Sequence, residues 1–348
     1  MKRMGDAILG ALARGAAVTV VLMLAVLVGV LLVRSIPSLR VFGPGFFVSS
    51  AWRPNEIERP VKDASGKVVI EDGEVKTETV PPEFGALPVI YGTAVTSVIA
   101  LLFAVPLSLG TALFIVRVAP RLRVAAPVSF LVEFLASIPS IAYGIWGLFV
   151  LAPFLRDYVE PPLSRLFMAV PGLGWLASET IRSAGGQTIA KPLPLTGRDL
   201  LCGGLILGIM ILPIITAVSR DVLRTVPRGQ IEGTLALGAT WWQSCVAMLR
   251  YSRAGLFGAI MLGLARAAGE TMAVAMVIGN NNQLVPSPFA PAQTMSSLLA
   301  NEFAEAGRGL HTSALLEVAL ILLVMSLVFN IIARWLVVGK GARTAASA

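Results

Sequence analysis

The sequence predicts an all-α polytopic membrane protein with six transmembrane helices and both termini cytoplasmic. Three observations carry this expectation. Hydrophobic residues make up 56% of the 348 and charged residues only 14%, where a soluble domain carries about a quarter charged residues. The mean hydropathy is +0.80, and the apolar residues gather into runs long enough to cross a hydrocarbon core about 30 Å thick. The basic residues collect at the edges of those runs, as membrane orientation requires.

The formal charge of +8, from 28 basic and 20 acidic residues, is therefore read as an orientation signal and not as a nucleic-acid footprint. Cys202 and Cys245 stand far apart and His311 is alone, so neither a metal site nor a disulfide framework is indicated.

In chain order, residues 1–36 hold the first helix, built on "GAAVTVVLMLAVLVGVLLV" from Gly15 to Val33 behind Lys2, Arg3 and Arg14. The run is too long for the apolar part of a cleaved signal peptide, and an uncleaved span fits it better. Residues 37–88 turn polar and are expected outside, with "RPVKDASGKVVIEDGEVKTETVPP" reading as a short hairpin or an extramembrane insert punctuated by Gly66 and Gly73. Residues 89–338 hold five further spans: Val89–Val116, Val124–Leu151, Leu200–Val218, Leu256–Ile278 and Thr312–Val338.

Placing the basic turn "RVAPRLR" inside puts Arg220, Arg224, Arg228, Arg250 and Arg253 inside as well, together with the tail 339–348. The outer segments Ala152–Asp199 and Asn280–His311 are rich in Pro, Gly and Asn, and long enough to dip back into the membrane. Gly204 and Gly208, like Gly255, Gly258 and Gly263, point to close helix contacts. Pro139 with Ser137 and Ser140 is expected to kink the third span, and Pro106 with Ser108 the second.

The inner loop 225–255, "TVPRGQIEGTLALGATWWQSCVAMLRYSRAG", spaces its apolar residues as two short amphipathic helices broken at Gly238. Periodicity alone leaves two readings open, a helix lying on the membrane surface or one that plugs a groove in another subunit.

This loop resembles the EAA loop of ABC-transporter permeases: Glu232, Gly233, the small Thr234 and Gly238 match, whereas Leu249-Arg250 stands where that family usually has Leu-Pro. The stretches "ALGATWWQ", "LGLARAAGETMAVAMVIGN", "SFLVEFLASIPSIAYGIWGLFVLAPFL", "YGTAVTSVIALLFAVPLSLGTALF" and "FGPGFFVSSAWRPN" narrow the resemblance to PstC-type permease subunits of bacterial phosphate-uptake transporters, from about Phe42 to Asn280. The resemblance implies the type I ABC importer permease fold in the inner membrane, with Glu232, Gly233, Gly238, Trp241 and Trp242 in an ATPase-coupling loop. It implies inorganic phosphate as cargo, a second permease subunit of the PstA type, an ATP-binding dimer of the PstB type and a periplasmic phosphate-binding protein of the PstS type. It assigns no role to the inserts near 58–80 and 161–194. The chain has no GxxxxGK[ST], so no cofactor is expected in it and ATP belongs to the partner ATPase.

Arg266 and Glu270 are expected to share one face of the fifth span at i and i+4, with Arg266 about 16 Å along it. An unpaired charge at mid-membrane costs roughly 2.5 kcal/mol or more, so a structural ion pair is one reading. A polar substrate path is the other, since the guanidinium fork suits an oxyanion and a neighbouring carboxylate would keep its grip weak. Glu133 is a third candidate, free to pair with Arg266 or with a basic group of a partner subunit, and a purely structural, satisfied carboxylate is the equal alternative. Trp241 and Trp242 read as interfacial anchors or plug residues, and Asn280, Asn281 and Asn282 as a helix terminus or a contact for the binding protein.

A channel or secondary carrier, an intramembrane enzyme, and a permease for molybdate or sulfate are the competing classes. No internal repeat and no cluster of His, Cys or paired Asp favours the first two. Arg-based recognition suits every oxyanion, and only the "GETMAV" and "SIPSIAYG" text favours phosphate.

Overall fold

The computed structural model describes residues 2–60, 70–71, 74–75, 77–182, 188–307 and 309–345. The chain is a bundle of long apolar helices that divides into two compact units, Met1–Ala86 with Glu305–Ile321, and Leu87–Ala304 with Leu322–Ala348. Among the described residues four stretches are long and apolar enough to cross a membrane: Leu9–Phe42, Leu87–Val118, Leu200–Arg224 and Leu310–Ile332. Two bent helix pairs, Ala125–Ser137 with Ser140–Ala169 and Trp241–Tyr251 with Arg253–Gly269, raise the number to six if each is one crossing.

The first unit is built on α1 (Lys2–Phe42), which overruns the predicted apolar run at both ends. Below its end, Trp52–Arg53 pairs antiparallel with Glu83–Phe84. That pairing sets Trp52 edge-on to Phe84 at 5.0 Å, while His311 stacks on Phe84 at 5.4 Å. The chain turns tightly here, since a Cβ on Gly85 would lie 2.2 Å from the Ser49 carbonyl oxygen. Of the two readings of the polar insert, a hairpin or an extramembrane insert, the strand pairing is present as a ladder between Ile57–Pro60 and Thr77–Val80; Gly66 and Gly73 lie outside the described residues.

The second unit is organised by α2 (Leu87–Leu113) packed along α6 (Leu200–Arg224). A Cβ on Gly204 would lie 2.5 Å from Ile99 Cγ2, and one on Gly208 2.8 Å from Phe103 Cδ1, so the glycines do bring these backbones together. Ala100, Ala104, Leu207, Ile211, Ile215 and Ala259 form the apolar core between them. α2 runs through Pro106 without a break, and Ser108 instead donates to the Leu212 carbonyl at 3.0 Å.

The third predicted span is not one kinked helix. α3 (Ala125–Ser137) stops, Ile138 and Pro139 are extended, and α4 (Ser140–Trp146) leaves at 90°. Pro139 has no amide to continue the ladder and pushes Ile138 out of the helical region. Tyr143 holds the bend by donating its hydroxyl to the Leu135 carbonyl at 2.8 Å. Helix then continues past Leu151, through wide π-type turns at Gly147–Leu151 and Leu155–Val159, into α5 (Glu160–Ala169). Much of the expected outer loop is therefore helical, because Pro161 and Pro162 fall in the first turn of α5, where a missing N–H costs little. A short antiparallel pair, Ser178–Arg182 with Thr188–Pro192, follows. Such strand pairs are additions to the all-α expectation.

Candidate functional site

Two places in the second unit hold the predicted residues. The loop 225–255 folds as α7 (Arg228–Ala236) and α8 (Trp241–Tyr251). Between them Gly238 adopts φ +84°, the left-handed turn that glycine tolerates. Thr240 and Gln243 then cap α8 reciprocally. One face of the pair packs Cys245, Met248, Ile231 and Leu249 against Ala112, Leu113 and Leu223 at the ends of α2 and α6. The opposite side presents Leu237, 90% exposed, and Trp242, 60% exposed, with Trp241 at the exposed edge. Glu232 and Gly233 are exposed as well, and nothing lies within 4 Å of a Cβ built on Gly233. A cavity of ≈ 430 Å³ opens beneath α7, lined by Arg117, Arg224, Arg228 and Glu232 among others.

The second place is where two helices break against each other. α9 (Arg253–Gly269) ends, Glu270 is extended at φ −71° and ψ 129°, and α10 (Met272–Val277) begins. The expected face-sharing of Arg266 and Glu270 therefore does not occur, and no ion pair joins them among the described residues. Gly269 weakens the helix at this point, and the Glu270 carbonyl, which the ladder abandons, accepts the Ser296 hydroxyl at 2.6 Å.

Ser296 belongs to α11 (Met295–Glu302), opened by a reciprocal cap between Thr294 and Ser297. That cap is pinned to α2, where Thr93 Oγ1 accepts the Met295 amide at 2.9 Å. A Cβ on Gly92 would lie 2.1 Å from the Gln293 carbonyl oxygen. The other broken helix joins through Gly144 of α4, whose Cβ would meet Met276 Sδ at 2.8 Å and Ala273 Cα at 3.0 Å. Within a bilayer, irregular backbone ringed by hydroxyls is tolerated only where protein or a polar cavity surrounds it. Arg266 is exposed and Glu270 half-buried on this knot.

Glu133 does not reach Arg266. Its Oε1 accepts Arg220 Nη1 at 3.0 Å, and Arg220 Nε also donates to Asp221 Oδ1 at 3.0 Å. Arg220 is 87 residues away and on α6, which packs against α3. Asn280 closes α10: φ is +50° and its Nδ2 donates to the Ala275 carbonyl at 2.8 Å, the helix-terminus reading. The sequence reading overlooked Thr93 and Ser296, and took Arg220 only as an orientation charge. The Thr294-x-x-Ser297 spacing was the one local signal that a helix starts inside the segment after Asn280.

Comparison with known proteins agrees with this geometry. The model of the family described as "Binding-protein-dependent transport system inner membrane component" matches residues 104–339. The phosphate transport system permease protein PstC of Mesorhizobium japonicum is 41% identical over 342 residues, 98% of this chain and 92% of that protein. PstC of Haemophilus influenzae is 37% identical, covering 92% and 89%, and the probable PstC of Methanocaldococcus jannaschii 33%, covering 91% and 89%. Among solved structures, a chain of the inward-facing MetNI methionine ABC transporter superposes with a TM-score of 0.50 at 17% identity, covering 72% of this chain and 94% of that one. That likeness is one of fold.

Proposed function

The chain belongs to the binding-protein-dependent transport system inner membrane components, and from that premise we propose that it is the permease subunit of an ATP-driven inorganic phosphate importer. It is a multi-pass inner-membrane transport component and not itself an ATPase. The observation that carries phosphate as cargo is the 41% identity to a phosphate permease over 98% of the chain.

In this reading there are six crossings and both termini are cytoplasmic, with 37–88 outside and 225–255 inside. The α7–α8 pair is the plug that enters a groove of the ATPase dimer, which the exposure of Leu237 and Trp242 supports. A second permease of the PstA type faces the broken-helix knot, and a PstS-type protein delivers phosphate from the periplasm. Arg266, exposed and without an ion-pair partner among the described residues, faces the route and contacts the passing anion, and Glu270 stands at the break beside it. Glu133, tied to Arg220, serves the inner end of the bundle.

Uptake of phosphate into proteoliposomes holding the complete complex tests the reading, with ATP on the ATPase side and binding protein on the other. Uptake that needs both and ignores molybdate and sulfate is expected. Uptake without ATP overturns the machine, and preference for another oxyanion overturns the cargo. Wild-type uptake by Arg266→Ala would remove Arg266 from the route.

A further inference from the structure

Glu160 and Asp199 are carboxyl groups at 0% exposure. Glu160 opens α5 immediately before Pro161 and Pro162. Asp199 caps α6, accepting the Cys202 amide on Oδ1 at 2.9 Å. Its Oδ2 and both oxygens of Glu160 meet no donor in full hydrogen-bond geometry; the backbone amides of Gly197 and Leu201 bear on Glu160 and Asp199 respectively, and the two side chains lie within interaction range of each other. Two ionised carboxylates are acceptors only, so they can bond to one another only when one carries a proton.

The surroundings close the pair off from water and from rescue by a cation. A Cβ on Gly197, at φ +70°, would lie 2.0 Å from the Ala152 carbonyl oxygen. The Leu200 and Leu201 amides donate to the Ala290 and Pro288 carbonyls at 3.2 and 2.9 Å, and Phe167 packs on Phe289 with ring centroids 5.7 Å apart. The charged and titratable neighbours are few. Arg156 and Asp157, one turn before Glu160, bind each other at 2.7 and 3.1 Å. Cys202 stands on α6 and Arg198 on the loop before Asp199, while residues 272–278 and 285–292, which pack against this corner, carry no titratable side chain. Arg156 is thus the one nearby guanidinium that bears on Glu160, and Asp157 already holds it. An uncompensated charge in such a place costs several kcal/mol, and two like carboxylates in contact lower that cost by sharing a proton.

We propose that Glu160 and Asp199 bind one proton between them at neutral pH, forming a carboxyl–carboxylate hydrogen bond that clasps α5 to the start of α6. Burial, and next the charge of Glu160, hold Asp199 well above the usual carboxylate range. The folded pair therefore keeps its proton where an unfolded chain has released it. The stabilisation from the retained proton is present at low pH, where the pair holds one proton or two, and is lost as pH rises through the raised folded value.

Infrared difference spectra and thermal unfolding of the purified complex, from mildly acidic to alkaline pH, test this. The wild type should show the carbonyl stretch of a protonated carboxyl that persists to neutral pH and titrates away above it. Its Tm should fall by a few degrees over the same interval. Glu160→Gln replaces the proton by a permanent amide donor, and Asp199→Asn does the same while keeping the cap on Cys202. Both should lack the band and show a flat Tm profile. Identical pH profiles in wild type and variants would overturn the proposal. So would failure of both variants to assemble, since each preserves a neutral donor, or alkaline stabilisation by added Na⁺ or Ca²⁺ with no protonated band.

Discussion

The Ser313 hydroxyl is inserted into the backbone ladder of α1 at Ser38: it accepts the Ser38 amide at 3.0 Å and donates to the Arg34 carbonyl at 2.8 Å. In an uninterrupted helix Ser38 would bond Arg34 directly. Pro37, one residue earlier, opens the turn, and the hydroxyl from the terminal helix Leu310–Ala345 bridges the gap. Both serines are buried, as is Glu317 one turn further along that helix. Ser313→Ala should leave a buried amide and carbonyl without partners and cost about 1–3 kcal/mol, whereas Ser313→Thr keeps the hydroxyl and should lose less than half of that. Tm of the purified complex separates the two.

Two glycines should respond in opposite ways. Gly204→Val drives a side chain into Ile99, whose Cβ and Cγ2 lie 2.6 and 2.5 Å from the new Cβ. Neither is a flexible chain end, so α2 and α6 must part, at about 1–3 kcal/mol. Gly233→Ala meets nothing within 4 Å and should stabilise α7 by up to about 1 kcal/mol. Thermal unfolding that ranks the variants the other way would refute the packing described for both.

Much of this was legible in the sequence, and the losses share a cause. Apolar runs located the long helices, and the Gly238 break emerged because glycine marks it locally. Pro139 signalled its bend for the same reason, although a kink underestimates a 90° turn. The break at Glu270 was hidden because Arg266 and Glu270 at i and i+4 read as one helix face. The break is held by Ser296, 26 residues later, which takes the freed Glu270 carbonyl, and spacing rules know nothing of so distant a donor. Glu133 likewise gave no local sign of which residue satisfies it, its partner Arg220 being 87 residues distant. Glu160 and Asp199 looked like ordinary polar residues of an outer segment, since burial of a carboxylate leaves no mark in local composition.

The loop 225–255 has a packed face and an exposed apolar face, and the proposed ATPase docking can be tested by separating the two. Leu237→Asp and Trp242→Ala alter exposed positions and should leave the stability of the permease within about 0.5 kcal/mol of the wild type, while abolishing copurification of the ATPase. Met248→Ala, at 2% exposure in the cluster beneath, should cost about 2–4 kcal/mol and lower ATPase binding only through loss of fold. If Leu237→Asp retains the ATPase, the exposed apolar rim is not the plug.

Arg266 and Glu270 are better tested as a pair than singly. Were they an ion pair on one helix face, exchanging them in the double variant Arg266→Glu, Glu270→Arg would restore much of what either reversal loses. The break after Gly269 forbids this: Glu270 leaves in an extended conformation with its carbonyl committed to Ser296, and the two side chains do not meet. The double variant should therefore transport no better than Arg266→Glu alone, with losses close to additive, and Ser296→Ala should impair uptake with both charges in place by loosening the break. Rescue by the exchange would mean that the two residues close on each other in another state of the transport cycle, and that the break is a position the helix leaves.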